Sequence, residues 1–207
     1  MNTKDELIRH LRDNSGVLRD LSVAAAFEAI DRKDFVRADL KDEAYEDYAL
    51  PLVSRQTISQ PTTIAFMLEK LGAQPGEKVL DIGSGSGWTT ALLAHIVGEK
   101  GAVVGVERLP ELVALGQKNI MKYHFPHAKI HEASDVLGAP DEAPFDRILV
   151  SASALDDNVL GELSKQLQKN GTLVIPIHDS IWVIRKRKNG TVTKEEFPGF
   201  VFVPLIS

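Results

Sequence analysis

The sequence predicts an α/β fold, a mostly parallel sheet with helices on both faces and antiparallel strands at its end, and three observations predict it. From Glu77 onward, short apolar runs alternate strictly with amphipathic stretches. The first run, Lys78-Val79-Leu80-Asp81-Ile82, passes directly into Gly83-Ser84-Gly85-Ser86-Gly87. The C-terminal part changes to strand-like runs around the turn pair Asn189-Gly190. Parallel strands need crossover connections, which are usually helical and cover both faces of the sheet.

In chain order, Leu7, Ile8 and Leu11 recur at helix spacing, and after Asn14-Ser15-Gly16 a second helix carries Leu21, Ala24, Ala25, Phe27 and Ile30. Residues 31–60 show no sustained period. Pro61 opens a helix at its first position, running through Ile64, Met67, Leu68 and Leu71 to Gly72. Strands are then expected at 78–82, 102–107, near 129–131, at 146–150 and at 171–175, with helices from Trp88 to Val97, Pro110 to about Lys122 and Asp156 to Leu167. Ile181 to Lys188, the Asn189-Gly190 turn and Phe200 to Leu205 read as antiparallel strands joined by a hairpin or longer loop. Five parallel units followed by an antiparallel pair is the layout of the seven-stranded Rossmann-like methyltransferase sheet, here behind a helical N-terminal extension. The expected organisation is one domain over 1–207: a substrate-side segment 1–60, a cofactor-binding core 61–177 and C-terminal strands 178–207.

Bulk properties narrow the function. A chain of 207 residues, 43% hydrophobic and 26% charged, is long enough for one sizeable core. No apolar run approaches the roughly 20 residues that cross a bilayer, and the N-terminus lacks an apolar signal core. With no cysteine, disulfides and thiolate metal sites are excluded. A net charge of −5 argues against a nucleic-acid partner. The expectation is a cytoplasmic, metal-independent monomer without a membrane or nucleic-acid partner.

The loop after the first parallel strand carries the chemistry. Dinucleotide enzymes place a third glycine at the sixth loop position so that pyrophosphate can sit on the helix end. Here that position is Trp88, whose indole argues against both close helix–strand packing and pyrophosphate. Asp81 followed by Gly83, Ser84, Gly85, Ser86 and Gly87 suits a smaller zwitterionic ligand, S-adenosyl-L-methionine, with Asp81 accepting from its ammonium directly or through water. Glu107, ending the second strand, is placed to accept from both ribose hydroxyls.

Upstream, Gln56-Thr57-Ile58-Ser59-Gln60-Pro61, with Asp34-Phe35-Val36 and Ala44 to Leu52, closely resembles the protein-L-isoaspartate (D-aspartate) O-methyltransferases. Val79 to Gly87, Ala143-Pro144-Phe145-Asp146 leading into Ile148 to Ala152, Gly171 to Pro176, and Phe200-Val201-Phe202-Val203-Pro204-Leu205 agree in order and spacing, so the resemblance covers about 30–206. It implies methyl transfer to the α-carboxylate of isoaspartyl residues in damaged proteins, with D-aspartyl residues left open as a second acceptor, leaving S-adenosyl-L-homocysteine. It also implies Ser59 as the catalytic residue, with Thr57, Ile58 and Gln60 on the substrate side. The chemistry is consistent: an α-carboxyl of pKa about 3.3–3.7 is already ionised at neutral pH, so no general base is needed and alignment must supply the rate. Ser and Thr also commonly cap helices, which gives Ser59 a second reading as the cap of the helix at Pro61.

Three departures stand out. Ala133-Ser134-Asp135 replaces the family's Gly-Asp-Gly, which puts Ser134 at the usual aspartate position against adenine and displaces Asp135 by one. Arg55 and His178 stand where the family has glycine, and are read as larger side chains near the substrate cleft that alter peptide preference. His124, His127 and His131 lack the further ligands of a metal site. Arg185-Lys186-Arg187-Lys188 reads as a solvated strand end. Two other functions remain open: methyl transfer to a small molecule or RNA, and a non-catalytic cofactor-binding module.

Overall fold

A computed structural model describes residues 1–154 and 158–205. At the N-terminus, α1 (Lys4–Arg9) widens into a π-helical turn at His10–Asn14. It is followed by α2 (Leu21–Ala29), capped by Asp20, whose carboxylate accepts from the N–H groups of Ser22 and Val23. The stretch expected to be irregular holds two 3₁₀ turns, Arg32–Asp34 and Ala38–Glu43, and a small antiparallel ribbon of β1 (Leu50–Pro51) and β2 (Thr57–Ile58). Next comes α3 (Pro61–Leu71), which ends on Gly72 in the left-handed region.

The remaining elements are β3 (Lys78–Ile82), α4 (Trp88–Val97), β4 (Ala102–Glu107), α5 (Pro110–Ile120), β5 (Ala128–Glu132), β6 (Phe145–Val150), α6 (Asn158–Gln166), β7 (Leu167–Ile177), β8 (Ser180–Lys186) and β9 (Val192–Pro198). Seven strands form one sheet in the order β5-β4-β3-β6-β7-β8-β9; β3 to β7 are parallel, and the β7–β8 and β8–β9 pairs are antiparallel. Side chains alternate between two cores. Val79 and Val103 face the core that includes α3, α4, α5 and the N-terminal helices, and Leu80 and Val104 face the core that includes Leu160 and Leu163 of α6. The strand order reverses at β3 and β6, so the loops after β3, β4, β5 and β6 open onto a common crevice at their C-terminal ends.

Two expectations need correction. The strand returning from the Asn189-Gly190 turn is β9, not Phe200 to Leu205. It is an edge strand, mostly exposed, so Thr193-Lys194-Glu195-Glu196 carries no apolar alternation to announce it. After Gly199 the chain instead crosses the strand ends, tied down where Ser153 N–H donates to Val203 O and Leu205 N–H to Ser153 O. The helix expected from Asp156 to Leu167 is described from Asn158 to Gln166, residues 155–157 lie outside the described residues, and Leu167 already belongs to β7. The basic run is more than a solvated end: Lys186 Nζ donates to Ser164 O and Leu167 O at the C-terminus of α6, 2.8 and 2.7 Å away. Among the described residues no helix is long and apolar enough to cross a membrane.

Candidate active site

The loop between β3 and α4 is held from beneath and from the side. Gly83 and Ser84 N–H both donate to Val106 O, and Gly85 N–H donates to Glu107 Oε2 at 2.9 Å. Asn119 Nδ2 on α5 donates to Ser86 O at 2.9 Å. Gly87 has φ 86°, and a Cβ there would meet Gly116 O at 3.0 Å. The close approach therefore comes from α5: a Cβ on Gly116 would lie 2.9 Å from Ile130 Cδ1 and 3.1 Å from Gly85 O. Trp88 does not interfere, because its indole turns away into the N-terminal layer, edge-on to Phe27 at 5.6 Å and beneath the Arg32 guanidinium at 5.3 Å.

Asp81 lies fully buried under this loop and lines no cavity. Its Oδ2 accepts from Thr89 Oγ1 and Thr90 Oγ1, each at 2.7 Å. Burial pushes its pKa up to about 6; the two threonine hydroxyls oppose that rise, and the Glu107 charge adds to it. Any ligand ammonium therefore meets Asp81 only through what stands between them. Glu107 is different. It faces the crevice, with one oxygen accepting from Gly85 N–H and the other from Leu109 N–H at 3.0 Å, which leaves a lone pair on each for a ligand.

The crevice is a cavity of about 290 Å³, large enough for the polar and adenosine parts of a nucleoside-sized ligand. Its walls are largely apolar, with Ile82, Val106, Leu112, Ala133, Val136 and Leu137 among them. Ser134 and Asp135 line it, yet neither side chain is turned to it as an acceptor. Ser134 Oγ is bonded to the backbone of Val136, and Asp135 is almost fully exposed and faces Arg108 at 3.5 Å. Sequence reading missed α6 here: Val159 and Glu162 line the cavity, and Gln166 clamps the loop above, accepting from Ala139 N–H and donating to Leu137 O.

A second, smaller cleft of about 30 Å³, room for roughly one water, adjoins the larger cavity at the glycine loop. Ile58 and Ser59 line it with Ser84, Ser86 and Trp88, while Thr57, Gly83, Gly85 and Ser151 line both spaces. Among the described residues, none that lines this cleft carries a charge. Three of its side-chain atoms, Ser84 Oγ, Trp88 Nε1 and Ser151 Oγ, are buried without a hydrogen-bond partner, as is Asp81 Oδ1 beneath.

Ser59 does not cap α3. That task belongs to Asp47, which accepts from Thr62 N–H at 2.8 Å and Thr62 Oγ1 at 2.7 Å, and also holds Gln60 Nε2. Gln60 is thereby committed to Asp47 and lines neither space. Those bonds and His10 outweigh the burial of Asp47 and hold its carboxyl below the ordinary range. The backbone of Ser59 is fixed by Arg32, a second residue that sequence reading passed over. Nearly inaccessible, its guanidinium donates to Ala44 O (2.8 Å), Glu46 O (3.1 Å), Tyr48 O (3.0 Å) and Ser59 O (3.1 Å). Burial lowers its pKa to about 10 against the opposing pull of Asp47. Neither Arg55 nor His178 reaches either space. Both are exposed turn residues with φ of 61° and 53°, which is why glycine suits those positions. His127 and His131 are engaged separately, with Ala94 O and Glu142.

A family model described as protein-L-isoaspartate(D-aspartate) O-methyltransferase matches residues 2–207. A protein-L-isoaspartate O-methyltransferase of Methanopyrus kandleri is 39% identical over 98% of this chain and 91% of its own length. One from Thermococcus onnurineus is 40% identical over 92% of this chain and 88% of its own length. A Plasmodium falciparum crystal structure, described as a protein of that kind in complex with S-adenosyl-L-homocysteine, superposes with a TM-score of 0.87 at 27% identity, covering 100% of this chain and 99% of that one.

Proposed function

The chain belongs to the protein-L-isoaspartate (D-aspartate) O-methyltransferase family, and we propose that it methylates the α-carboxylate of L-isoaspartyl residues in damaged proteins across the two joined spaces of its crevice. When bound, S-adenosyl-L-methionine supplies a methyl group on an electrophilic sulfonium. The residues present fit it. Glu107 keeps free lone pairs for a ribose diol, the apolar walls of the larger cavity accept adenine, and the orphaned Ser84 and Ser151 hydroxyls over Asp81 suit a zwitterionic methionine end.

Ser59 then stands where the acceptor enters. Its hydroxyl has no capping duty, and it can orient a carboxylate oxygen without neutralising it. Thr57 and Ile58, next to it on β2, offer backbone groups to an extended peptide. No side chain needs to remove a proton, because the nucleophile is already an anion. The described walls of the cleft, uncharged and mostly buried, strip water from it. The observation that carries this reading is that Thr57, Gly83, Gly85 and Ser151 line both the cavity and the Ser59 cleft, so donor and acceptor can meet across one loop.

The test is labelled S-adenosylmethionine with an isoaspartyl peptide and with its aspartyl twin. Label should enter the isoaspartyl peptide alone, and Ser59→Ala should lower kcat about tenfold or more while leaving S-adenosylhomocysteine affinity in place. Equal labelling of the two peptides, or none, refutes the reading.

A further inference from the structure

The Asn189-Gly190 turn plays no part in the site described above. It forms the tip of the β8–β9 hairpin, where Arg187 N–H donates to Thr191 O and Gly190 N–H to Arg187 O at 2.8 Å. Residues 187–191 are all exposed, and nothing lies within 4 Å of where a Gly190 Cβ would stand. The backbone nitrogen after an asparagine can attack the side-chain carbonyl, and a following glycine offers it the least steric resistance.

We propose that Asn189 is a site of isoaspartate formation in this chain, and that another copy of the same enzyme methylates it. The proposal rests on the isoaspartyl reading. Gly190 N forms a bond to Asn189 Cγ, the side-chain nitrogen leaves as ammonia, and a cyclic imide results. Water opens the imide at the α-carbonyl, so that the chain continues through the side-chain carbon and the α-carboxylate is free. That carboxylate is the acceptor the site takes, and no oxidant or further co-reactant is required. When the methyl ester forms, Gly190 N displaces methanol and regenerates the imide, giving a second chance of hydrolysis to ordinary aspartate.

Two features of the structure set where and how this happens. The bonds that restrain the turn sit on exposed residues: the attacking Gly190 N–H donates to Arg187 O at 2.8 Å, and Asn189 Oδ1 accepts from Thr191 N–H and Thr191 Oγ1, at 3.1 and 2.7 Å, so local opening of the hairpin tip releases them without unfolding the sheet. The other Asn-Gly pair in the chain, Asn170-Gly171, is an internal control. Gly171 is buried in β7 and closely surrounded, a Cβ there standing 2.7 Å from Leu167 Cδ1 and 2.8 Å from Gln168 O, so the backbone movement that attack requires is restrained there. Methylation must also be intermolecular. β8 starts at the crevice end of the sheet and runs away from it, and its seven residues at about 3.3 Å each carry the turn about 20 Å to the opposite end.

The experiment is to age the folded protein at mildly alkaline pH, then incubate it with labelled S-adenosylmethionine and map its peptides, with a synthetic isoaspartyl form of the hairpin peptide alongside. Label should enter the Asn189 peptide and exceed that in the Asn170 peptide by more than about tenfold, following their difference in local opening. It should be absent from Asn189→Thr, which keeps normal activity on the synthetic peptide. An aged Ser59→Ala copy should accept label only when fresh wild-type enzyme is added. Fragmentation mass spectra that find no isoaspartate at 189 overturn the proposal, as does isoaspartate there that stays unlabelled while the synthetic peptide is methylated. If the synthetic peptide is also unlabelled, the isoaspartyl reading fails and the proposal falls with it.

Discussion

Replacing Arg32 by methionine separates the residue that fixes Ser59 from those that bind the cofactor. The substitution keeps most of the side-chain volume but strips four carbonyls of their donor: Ala44 O, which is fully buried, and Glu46 O, Tyr48 O and Ser59 O, which are partly so. An orphaned buried acceptor costs about 1–3 kcal/mol, and partly buried ones recover some of that from water. Removing a cation whose pKa burial has already lowered to about 10 returns part of its desolvation penalty. The balance is a destabilisation of about 3 kcal/mol, which for a chain of this size lowers the melting temperature by about 6–12 °C.

Activity responds in its own way. Ser59 loses the bond that sets its backbone, and a misplacement of about 1 Å at a reacting centre costs up to about a hundredfold, so kcat for an isoaspartyl peptide should fall about tenfold to a hundredfold below the unfolding transition. Calorimetric affinity for S-adenosylhomocysteine should not change, because Arg32 lines neither space. Leu11→Ala, in the same N-terminal layer, costs about 2–5 kcal/mol and lines neither space, so it should lose stability without losing kcat. If Arg32→Met keeps wild-type kcat, or the two variants lose it equally, the assignment of Arg32 to Ser59 is wrong.

Three other outcomes follow from the geometry. Arg55→Gly relieves a left-handed residue at about 1–2 kcal/mol and loses about 0.4–1 kcal/mol to unfolded-chain entropy, so urea unfolding should show a gain of about 0.5–1 kcal/mol with activity intact. Asp81 holds its proton up to about pH 6 in the folded chain but releases it at 3.8 when unfolded, so its contribution to stability falls by about 3 kcal/mol as pH rises through that window. Asp81→Asn should therefore gain stability relative to wild type between pH 4 and 7, and calorimetry on the wild type should show S-adenosylhomocysteine binding weaken below pH 6; parallel melting curves at all pH values would contradict this. Gly116→Ala forces Ile130 and the glycine loop apart, and should cost about 1–3 kcal/mol and weaken cofactor binding together; loss of only one would show that the α5 contact does not set the loop.

What could be read from the sequence was local. The strand from Lys78 to Ile82, its glycine turn and Glu107 at the end of the next strand announce themselves because buried parallel strands are continuously apolar and tight turns need glycine. β9 did not, since a mostly exposed edge strand has no apolar period to detect. Arg32, Gly116 and Gln166 were hidden for another reason: each acts on a partner remote in sequence, with Arg32 reaching Ser59 and Gln166 reaching Leu137. The substitutions at Arg55 and His178 were visible, but their meaning was not, because only backbone angles show that glycine serves a turn there and not an open cleft.

Ser59 shows most plainly how distant partners make a site. Judged by its neighbours, a serine two residues before a helix-opening proline is a cap. Asp47 takes that duty from twelve positions upstream and frees the hydroxyl. Arg32 supplies rigidity without contacting the reacting centre, because its fork is spent on carbonyls and it is not among the described residues of the cleft wall, which are uncharged. That distinction matters for this reaction. A carboxylate and a sulfonium combine to give two neutral products, so charge disappears on the way to the transition state, and a cation in contact with the nucleophile would stabilise the starting anion most. Holding Ser59 by its carbonyl, from behind, positions the acceptor while leaving its charge unquenched.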